Sequence, residues 1–221
     1  KKVWNYLSGH EKLKAYDHLM FELANEPIHI LGTNGEWGSN SQPHFDKLKM
    51  FFQPLVDKIR ENGFQNVIWI PGSGYQSHYK GYANNPIEGD NIGYSVHIYP
   101  GYWGMDNNDP GTFRKNWNEN IQPVADFAPI AVTEIDWAPD GYSAWGEGGV
   151  TGEAGAWGFG ANFKALADES GNVSWNLLAP ENLIHDGDPE GGVAYNNDPE
   201  ACANPAKKWF AEYAENLKNC N

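Results

Sequence analysis

Five short apolar runs, at positions 19–24, 66–71, 92–99, 130–135 and 173–178, alternate along this chain with stretches whose apolar residues recur every three or four positions. Nearly continuous apolar strands are what a sheet covered on both faces requires, whereas a sheet with one wet face would alternate polar and apolar residues. The order strand, helix, strand, helix predicts an α/β fold made of βα units around a parallel sheet. Between the first two runs, Phe45, Leu48, Phe52, Leu55 and Ile59 share one helical face, and Asn62-Gly63 supplies the stop. Pro54 lies inside that pattern and is expected to kink or split the helix. Phe113, Trp117 and Ile121 form a second stripe after Asp109-Pro110, and Phe159, Phe163 and Leu166 a third. A helix over about 3–16 precedes the first run. A last one starts at Asn204 and Pro205 and carries Trp209, Phe210, Tyr213 and Leu217.

A closed (β/α)8 barrel of the TIM type needs eight strands and usually about 250 residues, and this chain offers five strands in 221 residues. Two architectures remain: an open doubly wound sheet, or the C-terminal portion of a barrel whose opening βα units lie elsewhere. No linker, low-complexity tract or repeat divides the sequence, so residues 1–221 read as a single domain or part of one.

The formal net charge of −14 argues against nucleic acid or an anionic membrane surface as partner and favours a neutral substrate. No apolar stretch approaches the roughly 18 residues that span a bilayer, and Lys1-Lys2-Val3-Trp4 leads into a polar helix rather than a signal-peptide core. Cys202 and Cys220 sit close to the C-terminus, where one bridge is conceivable but no disulfide framework or thiolate metal site is. Ten Trp and 25 Gly suit either a sugar cleft, in which pyranose faces stack on indole rings, or a large aromatic core.

The polar residues at the ends of the runs carry the chemistry. In order they are Asn25-Glu26-Pro27, Pro71-Gly72-Ser73-Gly74, His97-Ile98-Tyr99, Glu134 and Trp175-Asn176. In a parallel sheet these ends share one edge, so two glutamates far apart in sequence are expected to converge on one cleft. Glycoside hydrolysis needs two such carboxyl groups, about 5–5.5 Å apart for retention and about 6.5–9.5 Å for inversion. One must stay protonated as the acid and the other ionised, so their surroundings must differ. His97 and Tyr99 lie two apart on one strand, hence on one face, and can supply donors to these groups.

The residues 19 and 21–27, Leu-Phe-Glu-Leu-Ala-Asn-Glu-Pro around Met20, resemble the fourth strand of glycoside hydrolase family 5, the retaining (β/α)8-barrel β-glycanases. The similarity continues through His97-Ile98-Tyr99 on the sixth strand, Thr133-Glu134 on the seventh and Trp175 on the eighth, and covers most of the chain. It implies that Glu26 is the general acid/base and Glu134 the nucleophile. It further implies that Asn25 binds the sugar 2-hydroxyl, Tyr99 donates to Glu134, His97 orients the acid/base region and Trp175 underlies the sugar at the cleavage point. The chain departs from the family pattern in lacking the first three strands, with the arginine of the second and a histidine near the third. The wall beside the glutamates would come from another chain or an upstream segment.

On this resemblance the expected activity is that of a retaining endo-β-1,4-glycanase, foremost an endoglucanase (cellulase), with mannanase, xyloglucanase and xylanase as alternatives. The substrate is then a β-glucan polysaccharide or oligosaccharide, no cofactor or metal is required, and secretion follows from the size of the polymer. A different class also fits: a non-catalytic carbohydrate-binding barrel fragment with exposed edge strands. An unrelated α/β hydrolase is disfavoured because no Gly-x-Ser-x-Gly occurs.

Trp37, Trp103, Trp137 and Trp145, in Gly-rich loops after strand ends, are candidates for outer sugar subsites, though loop tryptophans also plug barrel rims. Gln76, His78 and Tyr79 are weaker candidates for substrate contact, and Glu22 reads as structural. Asp106-Asn107-Asn108-Asp109 and Asp186-Gly187-Asp188 resemble calcium loops only loosely and are explained by turn formation. No helical His pair suggests zinc, and Gly72-Ser73-Gly74 lacks the residues of a phosphate-binding loop.

Overall fold

The computed structural model describes residues 1–99, 109–135, 159–177, 184–186 and 193–195. The candidate residues Trp103, Trp137 and Trp145, the last helix and both cysteines lie outside them. The chain divides into two compact units. The first comprises Lys1–Ile98, Asn116–Thr133 and Asn172–Trp175; the described residues of the second are 99, 109–115, 134–135, 159–171, 176–177, 184–186 and 193–195.

A parallel sheet, most of it in the first unit, comprises β1 (Phe21–Glu22), β2 (Ile68–Pro71), β3 (Ile92–Ile98), β4 (Ile130–Ile135) and β5 (Val173–Leu177), hydrogen-bonded in the order β1-β2-β3-β4-β5. Register is set by Phe21 opposite Ile68 and by Ile68 opposite Ile92. A doubly wound sheet has a point where strand order reverses. Here every strand lies beside its predecessor, which is the sequence of a βα barrel and removes the doubly wound alternative. The run at 130–135 is a strand over its whole length, while only two residues of the run at 19–24 are. Phe21 and Leu23 donate their N–H groups to Val67 and Trp69, after which the chain turns away at Glu26.

Helix α3 (Gln42–Glu61) presents Phe45, Leu48, Phe52, Leu55, Val56 and Ile59 as a buried stripe and ends at Asn62 and Gly63, whose φ of +87° glycine adopts without strain. Of the two outcomes expected at Pro54, a kink or a split, the split does not occur. The carbonyl deprived of a partner belongs to Met50, whose side chain is 76% exposed, and Pro54 is itself exposed, so the interruption falls where water can satisfy it.

The first helix is also shorter than the sequence suggests. α1 (Lys2–Gly9) is separated from α2 (Glu11–Lys14) by His10, whose ψ of 116° is extended. The Asn62 side-chain amide donates to the Asn5 carbonyl and to Ser8 Oγ (3.1 and 2.9 Å), fastening α1 to the end of α3. Asn66 does the same for the entry into β1, donating to the carbonyls of Tyr16 and Leu19.

The core beneath β2 and β3 is aromatic. Tyr79, Tyr82 and Tyr94 are buried, with Tyr82 and Tyr94 ring centroids 5.2 Å apart, and Phe21 stacks on Phe64 at 4.1 Å. Helix α4 (Pro110–Asn120) begins where Asp109 Oδ2 accepts the Thr112 N–H at 2.7 Å, so Asp109 caps the helix. Trp117 is wholly buried in the first unit and donates its Nε1–H to Gln122 Oε1 on the short α5 (Gln122–Ala125). In the second unit Phe113 meets Phe159 of α6 (Phe159–Ser170) edge to face at 5.8 Å. Two further strands, β6 (Ile184–Asp186) and β7 (Val193–Tyr195), pair antiparallel.

Candidate active site

Glu26 occupies the turn that follows β1, and its backbone has φ +44°, the left-handed region that a side chain with a Cβ rarely adopts. Such a conformation costs of order 1–3 kcal/mol and persists only where its surroundings fix it. Two contacts do so. The Glu26 N–H donates to Gln76 Oε1 at 2.5 Å, and the Glu26 carbonyl accepts the Ile28 N–H at 2.6 Å.

On the side-chain end, Glu26 Oε1 lies 3.0 Å from His97 Nδ1; His97 is 1% exposed and the Glu26 side chain 25% exposed. Either Nδ1–H donates to the carboxylate or a protonated carboxyl donates to Nδ1, so the pair can hold Glu26 in either protonation state. His97 is placed by β3, whose even burial over residues 93–98 keeps the ring away from solvent.

The second glutamate has a different partner. The Tyr99 O–H donates to Glu134 Oε2 at 2.7 Å, a charge-assisted bond when the carboxylate is ionised. Tyr99 follows the end of β3 and is 3% exposed, while Glu134 is half-buried near the end of β4. One residue earlier on β4, the Thr133 hydroxyl donates to Glu22 Oε1 at 3.2 Å. Glu22 also accepts from Gln76 Nε2 at 3.0 Å, which gives this carboxylate the structural part expected of it.

Asn25 is exposed immediately before Glu26, Trp175 is half-buried on β5, and Trp37 is 58% exposed with its ring edge-on to Tyr75 at 5.3 Å. Two of the weaker candidates require correction. Gln76 and Tyr79 are completely buried, and the Tyr79 hydroxyl donates to the Ser95 carbonyl, so both lie beneath the strand ends instead of facing substrate. The part Gln76 plays under Glu26 escapes a sequence reading because neither Tyr75 nor Gln76 advertises the positive φ, 53° and 58°, that both adopt. The available signal is the pair of glycines before them: a Cβ on Gly74 (φ +58°) would fall 2.3 Å from His78 Nδ1, so the 72–78 loop folds tightly back on itself.

That loop contains a pH-sensitive group. Burial lowers the His78 pKa to about 4, against a weaker opposing pull from Glu119. Below the unfolded value near 6.5 the unfolded chain takes up a proton that the folded one refuses. Stability therefore falls as pH drops from about 6.5 towards about 4, at up to about 1.4 kcal/mol per pH unit from this residue. Above about 6.5 the contribution is flat. Urea midpoints measured across this range should decline for the wild type and decline less steeply for His78→Gln; equal slopes would show that another group is responsible.

Comparison with known proteins agrees with the architecture. The chain is 30% identical over 177 residues to an endoglucanase of Bacillus sp. (strain KSM-635), covering 76% of this chain and 17% of that protein. It is 26% identical over 165 residues to cellulase CelDZ1 of Thermoanaerobacterium sp., covering 72% and 37% respectively. The chain thus spans well under half the length of these curated relatives. Among solved structures, the β-glucanase SdGluc5_26A of Saccharophagus degradans superposes with a TM-score of 0.61 at 22% identity, over 80% of this chain and 49% of that one. The catalytic domain of Thermobifida fusca endoglucanase Cel5A superposes with 0.61 at 17% identity, over 97% and 62%. At those identities the superpositions establish the fold, a βα barrel sheet. The sequence pattern of "Cellulase (glycosyl hydrolase family 5)" matches residues 1–170, and the chain belongs to that family.

Proposed function

We propose that this chain carries the catalytic pair of a retaining endo-β-1,4-glucanase, with Glu134 as nucleophile and Glu26 as general acid/base. The observation that supports the reading best is that each glutamate has its own, chemically different partner: a phenol O–H for Glu134 and an imidazole for Glu26. A phenol O–H donated to one carboxylate oxygen orients the group and leaves its other oxygen to attack, as a nucleophile needs. An imidazole can both give and take a proton at the same nitrogen, as suits a group that is acid in one step and base in the next.

In the first step a Glu134 carboxylate oxygen bonds to the anomeric carbon, the glycosidic C–O bond breaks, and the Glu26 proton passes to the leaving oxygen. In the second, Glu26 removes a proton from water, whose oxygen displaces Glu134 from the sugar. Asn25 would hold the 2-hydroxyl, Trp175 would lie under the sugar, and Trp37, Trp103 and Trp137 would line outer subsites. The remainder of the barrel, three βα units in the family pattern, would complete the cleft wall, and action on a polymer implies export. Relatives named as endoglucanases and as a β-glucanase favour glucan over mannan, xyloglucan or xylan. A structure of SdGluc5_26A holds cellotetraose, a β-1,4-linked ligand of the kind proposed here.

The test is product analysis on soluble β-glucan, mannan, xyloglucan and xylan with the first-formed anomer followed by NMR. Fastest cleavage of glucan with the β-anomer appearing first is expected. An α-anomer would overturn the mechanism. A folded chain that binds cello-oligosaccharides and cuts none of the four would instead favour the carbohydrate-binding reading.

A further inference from the structure

Gln76 is a completely buried side chain whose amide is used in opposite senses at its two ends. Oε1 accepts the Glu26 N–H at 2.5 Å, and Nε2 donates to Glu22 Oε1 at 3.0 Å and to Ser95 at 3.3 Å. The Gln76 main-chain carbonyl accepts the His97 N–H at 2.9 Å. One residue thus grips the backbone of Glu26 and the backbone of the histidine bonded to its carboxyl. Gln76 itself stands at φ +58°, next to Tyr75 at +53°, so the loop spends conformational energy to bring this amide under the β1 turn.

Resting on the functional reading above, we propose that Gln76 is a positioning residue for the acid/base glutamate. Its amide holds Glu26 in the left-handed conformation that aims the carboxyl at the leaving oxygen, and keeps Glu26 and His97 in fixed relation. Only a side chain with an acceptor and a donor on one planar group fits. A carboxylate could not donate to Glu22, and an apolar isostere would leave the Glu26 N–H without its acceptor.

The experiment uses the full-length protein and Gln76→Met, which nearly preserves volume. With β-glucan, kcat should fall about 100-fold, as expected for misplacement of a catalytic group by about 1 Å, while KM stays unchanged. The burst of dinitrophenolate from dinitrophenyl β-cellobioside, whose leaving group needs no proton, should stay within about threefold of wild type. Wild-type kcat in a folded variant, or equal losses on both substrates, would overturn the proposal.

Two readouts are independent of activity. A crystal structure of the variant should show residue 26 relaxed to negative φ; retention of φ near +44° would refute the role of the amide. Should the variant fail to fold, the wild-type Glu26 amide decides: slow hydrogen exchange is required, and exchange at the free-loop rate contradicts the bond to Gln76. If the wild type cuts no β-glycan, the functional reading fails, while the φ and exchange measurements still decide what Gln76 does to the backbone.

Discussion

Glu134→Gln leaves a folded protein that still binds cello-oligosaccharides and turns over soluble β-glucan on the order of 10³–10⁶ times more slowly. The substitution preserves shape, and the new amide oxygen can still accept the Tyr99 hydroxyl that now bonds Glu134 Oε2. What is lost is the negative charge that attacks the anomeric carbon, so the deficit should fall on kcat and not on binding. Glu26→Ala provides the contrast. There, dinitrophenyl cellobioside should still release its leaving group in a burst and stall as glycosyl-enzyme, and added azide should restore turnover as glycosyl azide. The check is a pair of progress curves, with and without azide, on each variant. Substantial glucan turnover by Glu134→Gln, or azide rescue of the wrong one of the two, would reassign the roles.

The largest loss of stability is expected from Trp117→Ala. Trp117 is wholly inaccessible, and its indole N–H is bonded to Gln122. Removing a buried Trp typically costs about 3–5 kcal/mol, a large share of the 5–15 kcal/mol that holds a domain together. At about 2–4 °C per kcal/mol for a chain of this size, the melting temperature should fall by about 10 °C. Circular dichroism melts and urea titration would measure it, and a change of less than about 2 °C would mean that the cavity collapses without penalty. The loss should leave the relative rates on different β-glycans untouched, because the Trp117 indole is bonded to Gln122, which is none of the proposed substrate-binding residues.

Much of this was legible from residue patterns because the relevant forces are local or periodic. The run at 130–135 needed only its β-branched residues and burial on both faces to become β4, and the spacing of Phe45 to Ile59 needed only a core to lie against. Asn25, Glu26, His97, Tyr99, Glu134 and Trp175 were nominated by position at strand ends and by family resemblance, and the contacts of Glu26 with His97 and of Tyr99 with Glu134 accord with that nomination. The misses involve forces that sequence pattern does not encode. Pro54 is tolerated because the unpaired carbonyl faces water, a tertiary fact. The break at His10 follows Gly9, a weak helix former at which the chain could stop once Asn62 had fastened the preceding turn. Gln76 required knowledge of backbone angles that its neighbours adopt only in the folded loop.

The polar clasp on α1 bears on how this molecule opens. Ser8 is the one buried residue of an eight-residue helix, and Val3 and Tyr6 are 65% and 69% exposed. A helix so short has little persistence of its own in water, and its ties include packing along α3, the Asn62 side chain and the contact of Trp4 with Phe21 at 5.3 Å. Fraying of residues 2–9 therefore needs far less free energy than separating β2 from β3. A protease acting under native conditions should nick the polypeptide ahead of Phe21 long before the strands part.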